Sequence, residues 1–147
     1  MNARTARRQR IIRVRTVEHQ RAEANLARAS GELANLVELA KRLESLRTEL
    51  AMAKGAATGR ALNSIGELGI RLDTAKESLA KPLDDASARR DQMSALAQAA
   101  MVKEESANRL YERSRQAAEA EAERRRDANR PFQGQGMRLR LIEGGVL

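Results

Sequence analysis

Seven apolar residues stand seven apart along the second half of the chain: Ile65, Leu72, Leu79, Ala86, Met93, Ala100 and Ala107. Seven residues make two turns of α-helix, so the repeat draws one narrow apolar stripe along a long helix, and another helix has to cover it. The adjacent stripe, three residues on, reads Leu68, Ala75, Pro82, Arg89, Leu96, Lys103 and Leu110. The first half carries a matching seam. Ala22, Leu26, Ala29, Leu33 and Leu36 follow steps of 4-3-4-3, and after one extra step of three come Leu39, Leu43, Leu46 and Leu50. The extra three is a stammer-like slip that overwinds a coiled coil locally.

Between the two seams lies Lys54-Gly55-Ala56-Ala57-Thr58-Gly59. Two glycines so close together end a helix and allow the chain to reverse. The pattern predicts an all-α fold: a long antiparallel two-helix coiled-coil hairpin with a disordered C-terminal tail. Helices are expected over residues 4–53 and 61–130, joined by a turn at 54–60, within a single hairpin over residues 1–130. Residues 131–147 follow as a flexible tail, because Pro131 stops the helix and four glycines come after it. Pro82 removes a backbone donor and crowds the Ser78 carbonyl, so the second helix is expected to kink there; Asp84 and Asp85 suit a new helix start and leave a full break open.

Reversal near residue 57 pairs positions whose numbers sum to about 114. Ile12 is then expected to face Val102, Leu33 to face Lys81, and Leu50 to lie near Ile65. The second helix is expected to extend beyond the first by about 20 residues, or about 30 Å at helical rise. Apolar content is uneven: fourteen Leu, Ile, Val and Met fall in residues 33–79 but five in residues 86–130. The half near the turn is therefore expected to be the more stable and the more adhesive, and the Ala-lined half is expected to splay or slide more readily.

Composition supports this reading. One Phe, one Tyr and no Trp leave a compact globule without its bulky fillers, whereas 33% charged residues suit a thin helical pair. The chain has no Cys, so it has neither disulfides nor thiolate chemistry. No apolar run is long enough to span a bilayer, and the basic N-terminus lacks the apolar stretch of a secretory signal. Direct membrane insertion is not expected.

Catalysis has little foothold. His19 is the only histidine and reads as solvated or at the edge of the seam. Gly55 and Gly59 lack the strand and the Lys-Ser/Thr of a phosphate loop. Asp84-Asp85 and Glu104-Glu105 are adjacent pairs that point to different helix faces and lack histidines, so they do not make a metal site. The expectation is a non-enzyme with no catalytic residues, no cofactor and no metal.

Charge is the remaining signal. The chain carries a net +8, and 23 of its 28 basic residues are Arg. Arg4, Arg7, Arg8, Arg10, Arg13 and Arg15 crowd the first 15 residues with no acid among them, and Arg124, Arg125, Arg126 and Arg130 close the last helical stretch. Folding back at the glycines brings the clusters to one end, with the second on the protruding helix. Such a basic end suits an acidic protein partner. Phosphate binding fits less well, because aromatic stacking platforms for single strands are absent and a parallel basic zipper has no need of a return helix.

A small, basic, Cys-free chain with this layout resembles the FliJ/YscO family of type III (flagellar) export proteins. The resemblance covers residues 4–130 by architecture. Its motif support is Ile65-x-x-Leu68-x-x-x-Leu72, then Ala75 and Leu79, after the glycine turn. Aliphatics stand there where the family tends to carry aromatics. The N-terminal Ile12-x-Val14-Arg15-x-Val17 stretch is also in the family's style.

The resemblance implies a cytoplasmic stalk protein at the inner-membrane export apparatus, similar to the coiled-coil stalk of a rotary ATPase. Its terminal end would enter the ring of a hexameric FliI-like export ATPase. Its loop side would engage an FlhA-like export gate, and it would escort export chaperones. In this chain the expected ring-binding residues are Arg8, Arg13, Arg113, Arg124, Arg125 and Arg126. The expected gate-binding residues are Leu43, Leu46, Leu50, Leu68, Leu72, Ala75 and Leu79. A generic coiled-coil scaffold or adaptor, and an arginine-rich nucleic-acid-binding protein, are the alternative readings.

Overall fold

A computed structural model describes residues 3–131. The flexible tail expected over residues 131–147 lies, apart from Pro131, outside the described residues. The fold is all-α, with two long helices: α1 (Ala3–Lys54) and α2 (Gly59–Ala128). Residues 55–58 connect them. At the end of α1, Gly55 N–H donates to Met52 O (3.3 Å) and Ala56 N–H to Ala53 O (3.2 Å), which satisfies carbonyls left open at a helix terminus. Lys54 in the last turn complements the negative end of the helix. Thr58 immediately precedes α2, and its carbonyl accepts from Leu62 N–H at 3.1 Å. At the far end Arg125 and Arg126 occupy the last turn, and Pro131 cannot continue the ladder. Pro82 lies inside α2, which is unbroken there.

The chain divides into two compact units, Met1–Ile12 with Ser106–Leu147, and Arg13–Glu105. Each contains a length of both helices. In the Arg13–Glu105 unit, the less exposed residues of α1 are Arg15, Thr16, His19, Ala22, Leu26, Ala29, Leu33, Leu36, Ala40, Leu43, Arg47 and Leu50. From Ala22 onward these steps alternate four and three without interruption. The stammer expected after Leu36 is absent. Leu39 and Leu46 are 44% and 49% exposed, and Ala40 and Arg47 take their places. Keeping the heptad phase avoids overwinding the helix, and Arg47 occupies an apolar position with its guanidinium over Gly69 and on Asp73.

On α2 the stripe Ile65, Leu72, Leu79, Ala86, Met93 and Ala100 lies on the less exposed side throughout this unit. Its companion stripe differs from the expected one. Leu68 and Leu96 are 48% and 52% exposed, and Pro82, Arg89 and Lys103 are exposed too. On the stripe one residue further on, Gly69, Leu83, Arg90, Ala97 and Glu104 are buried or half-buried instead, and Lys76 is exposed. Of the expected stripe, Ala75 alone is half-buried in this unit. Backbone proximity accounts for the choice. The buried residues are Ala29, Gly69, Ala86 and Ala97, and small residues let two helices approach closely.

The register also departs from the expected one. Arg47 Nε pairs with Asp73 Oδ1 at 3.0 Å, Lys76 with Glu44, and Arg89 Nη1 with Glu32 Oε2 at 3.2 Å. These paired numbers sum to 120 or 121, not 114. Leu33 therefore does not lie level with Lys81. Leu50 lines one hollow with Ile65, as expected, and with Gly69, where an added Cβ would lie 3.7 Å from it. Except for Ala57, residues 51–64 are exposed.

In the other unit, Thr5 is 7% exposed and shares an open hollow with Tyr111, Arg115, Ala118, Ala122 and Arg125. Arg8 donates from Nη1 to the Leu110 carbonyl. The first turns of α1 therefore lie along residues 110–122 of α2, and the expected 20-residue overhang is shorter. Residues 119–131 are all exposed.

Candidate interaction site

Charge is distributed unequally between the units. The described residues of the Met1–Ile12/Ser106–Leu147 unit hold eleven arginines against five acids, a net +6. The Arg13–Glu105 unit holds fifteen basic and fourteen acidic residues, a net +1. Six of the described residues' net seven positive charges therefore reside in one unit.

Helix periodicity decides which of these arginines are engaged. Glu119 and Glu121 stand four residues from Arg115 and Arg125, which places each pair on one face. Arg115 Nε donates to Glu119 Oε1 at 2.9 Å, and Arg125 pairs with Glu121. Glu119, and Glu112 with it, hold the Arg115 guanidinium above its ordinary pKa. Arg8 is half-buried and committed to the Leu110 carbonyl. Arg4, Arg7, Arg10, Arg113, Arg124, Arg126 and Arg130 are exposed and have no ion-pair partner among the described residues. Arg4, Arg7 and Arg8 line a shallow groove with Ile11.

Among the expected ring-binding residues, Arg113, Arg124 and Arg126 are thus free to meet a partner, and Arg8 and Arg125 are occupied. Arg13 is exposed and belongs to the near-neutral unit. The site reading left out Arg4, Arg7 and Arg10. Their spacing of three and three was visible in the sequence, with no acid within reach.

The expected gate-binding residues separate into two groups. Leu43, Leu50, Leu72, Ala75 and Leu79 are half-buried on the sides where α1 and α2 meet. Leu46 and Leu68 are exposed, as is Leu39. The three exposed leucines are available for contact in this fold, and the seam leucines are not without opening it.

One polar cluster interrupts the seam of the Arg13–Glu105 unit. Thr16 Oγ1 donates to Glu104 Oε1 at 2.7 Å, and His19 Nδ1 lies 2.6 Å from Glu104 Oε2. His19 Nε2 is 3.2 Å from Glu23 Oε1, one turn further along α1. The His19 and Glu104 side chains are 19% and 21% exposed. The hydrogen bond from Thr16 and then that from His19 hold the Glu104 carboxyl below its ordinary pKa, with the His19 charge adding to them against partial burial. His19 is a seam-edge residue with a defined partner. Its place seven residues after Ile12 and seven before Leu26 was legible in the sequence; Glu104 as its partner was not.

Among the described residues there is no group of His, Cys, Asp and Glu arranged to hold a metal ion, and no helix is long and apolar enough to cross a membrane. The chain matches no protein-family model, and no curated protein or solved structure is significantly similar to it.

Proposed function

We propose that this chain is a non-enzymatic stalk and coupling protein of a flagellar-type export apparatus, acting in the cytoplasm against the inner-membrane machinery. Its arginine-rich unit meets the acidic lining of a hexameric export ATPase. Its near-neutral unit meets the export gate, and the chain also escorts export chaperones. The observation that carries this reading is the segregation of charge, net +6 in one unit and +1 in the other, with seven arginines of the first exposed and without an ion-pair partner among the described residues. A central stalk has no sixfold symmetry, so its contacts with a ring have to tolerate several orientations. Arginine forks at an exposed surface meet that requirement.

The test is binding of purified chain to the export ATPase at low and moderate salt. Replacing Arg113, Arg124 and Arg126 by Glu should weaken binding by at least about tenfold, equivalent to about 1.4 kcal/mol, with helix content unchanged. Unchanged binding by the triple variant would reject the stalk reading. For the gate, Leu46→Asp with Leu68→Asp should abolish binding and leave the fold intact, since both side chains are exposed.

A coiled-coil scaffold is the second reading, favoured by the exposure of large apolar residues, Leu39, Leu46 and Leu68 among them. It predicts a mass that rises with concentration, which the same two aspartates would suppress.

A further inference from the structure

The Arg13–Glu105 unit is paired in one of two registers open to it. Residues 55–58 join the helices, and a tight reversal there pairs positions summing to about 113 or 114. The observed pairs Arg47–Asp73, Glu44–Lys76 and Thr16–Glu104 each sum to 120. The two pairings differ by one heptad, a relative slide of about 10 Å. A slide of seven residues returns every helix stripe to itself, so heptad patterning alone does not choose between them.

Most of this unit is indifferent to the choice. Leu43 and Leu50 meet a member of the aliphatic row Ile65, Leu72 and Leu79 in either register, and Leu36 exchanges Ala86 for Leu79. The ion pairs formed by Arg47, Lys76 and Arg89 are exposed, and such pairs contribute little. Ala22, Ala29, Ala97 and Ala100 are small enough to accept several neighbours. Exposed residues on both sides of the connection supply the slack, because 51–64 bury almost nothing.

Thr16, His19 and Glu104 are not indifferent. Sliding toward the tight-turn register carries Glu104 two helix turns away from Thr16 and His19 and sets His19 opposite Ala97. Sliding the other way sets Glu104 opposite Leu26. Either move takes Thr16 and His19 away from a largely covered carboxylate, which disfavours that pairing. We propose that Thr16, His19 and Glu104 form a register lock that holds α1 and α2 one heptad away from the pairing their connection favours. Releasing the lock lets the helices of this unit slide to the second register. A single polar contact in an apolar seam sets register in other coiled coils by the same physics.

The absence of cysteine makes the test direct. Ala29→Cys with Met93→Cys reports the observed register, since these residues line one hollow. Ala29→Cys with Ala86→Cys reports the register one heptad away. Each pair is oxidised at high dilution, and the intramolecular crosslink is measured. In the otherwise unaltered chain the 29/93 crosslink should dominate and the 29/86 crosslink should be at trace level. His19→Leu with Glu104→Leu keeps the seam apolar and should raise the 29/86 yield by about tenfold while the chain stays helical. If that variant does not fold, Glu104→Ala is read in the same way. The proposal is wrong if the 29/86 crosslink is already abundant with the lock intact, or if it stays at trace in a helical variant lacking the lock.

Discussion

Arg47 crosses the helix pair directly over Gly69: a Cβ built on Gly69 would sit 2.9 Å from Arg47 Nη1 and 3.5 Å from its Cζ. The same guanidinium reaches Asp73 on the next turn. Gly66 and Gly31 have nothing within 4 Å of an added Cβ. A glycine inside a helix costs about 0.5–1 kcal/mol relative to alanine. Gly31→Ala and Gly66→Ala should therefore each stabilise the fold by about that amount. Gly69→Ala should give less, because the guanidinium has to move and its pairing with Asp73 is disturbed. Thermal unfolding of the three variants side by side checks the order.

Leu43 and Leu46 differ by one helix turn and should differ in cost. Leu43 is half-buried between the helices, and Leu46 is 49% exposed. Leu43→Ala should lose about 1–2 kcal/mol of stability, and Leu46→Ala about 0.5 kcal/mol or less. Chemical denaturation of both variants measures the difference. Equal losses would mean that α1 follows its leucines and not its heptad phase.

Pro82 sits inside α2 with its ring exposed, so its replacement removes no buried contact. Alanine restores a backbone donor and relieves the crowding at the Ser78 carbonyl. Pro82→Ala should raise stability by about 1–3 kcal/mol and increase helical circular dichroism. A destabilised variant would show that the local shape imposed by proline is needed for the pairing of the helices.

Acid should weaken the seam through Glu104. Its carboxyl pKa is lowered in the fold, chiefly by the Thr16 hydrogen bond and then by His19. A lowered folded value means that the ionised carboxylate contributes stability above the ordinary carboxylate range. That contribution is lost as pH falls through the lowered value. The unaltered chain should melt higher than Glu104→Gln at neutral pH, and the gap should close below about pH 4. A gap that persisted unchanged into strong acid would remove the carboxylate from this role.

Much of the fold was readable one stripe at a time. The spacing of Ile65, Leu72, Leu79, Ala86, Met93 and Ala100 places them on the covered side of α2, because a seven-residue repeat is a property of a single helix. Gly55 and Gly59 bracket the end of α1 and the start of α2 for the same local reason. The concentration of arginine near both chain ends was equally plain. The engagement of Arg8 and Arg125 against the freedom of Arg4, Arg7 and Arg124 was not, since it depends on which atoms come within reach.

What the sequence determined by itself is helical content, the reversal and the segregation of charge, all of which follow from spacing within one segment. Tertiary structure decided between Leu39 and Ala40, between Leu68 and Gly69, and between two registers one heptad apart. Leucine outweighs alanine or glycine on any scale of single residues. Two helices that approach closely reverse that preference, since only small side chains fit between their backbones. The register rests on His19 and Glu104, 85 residues apart, whose pairing exists only after the chain has folded back.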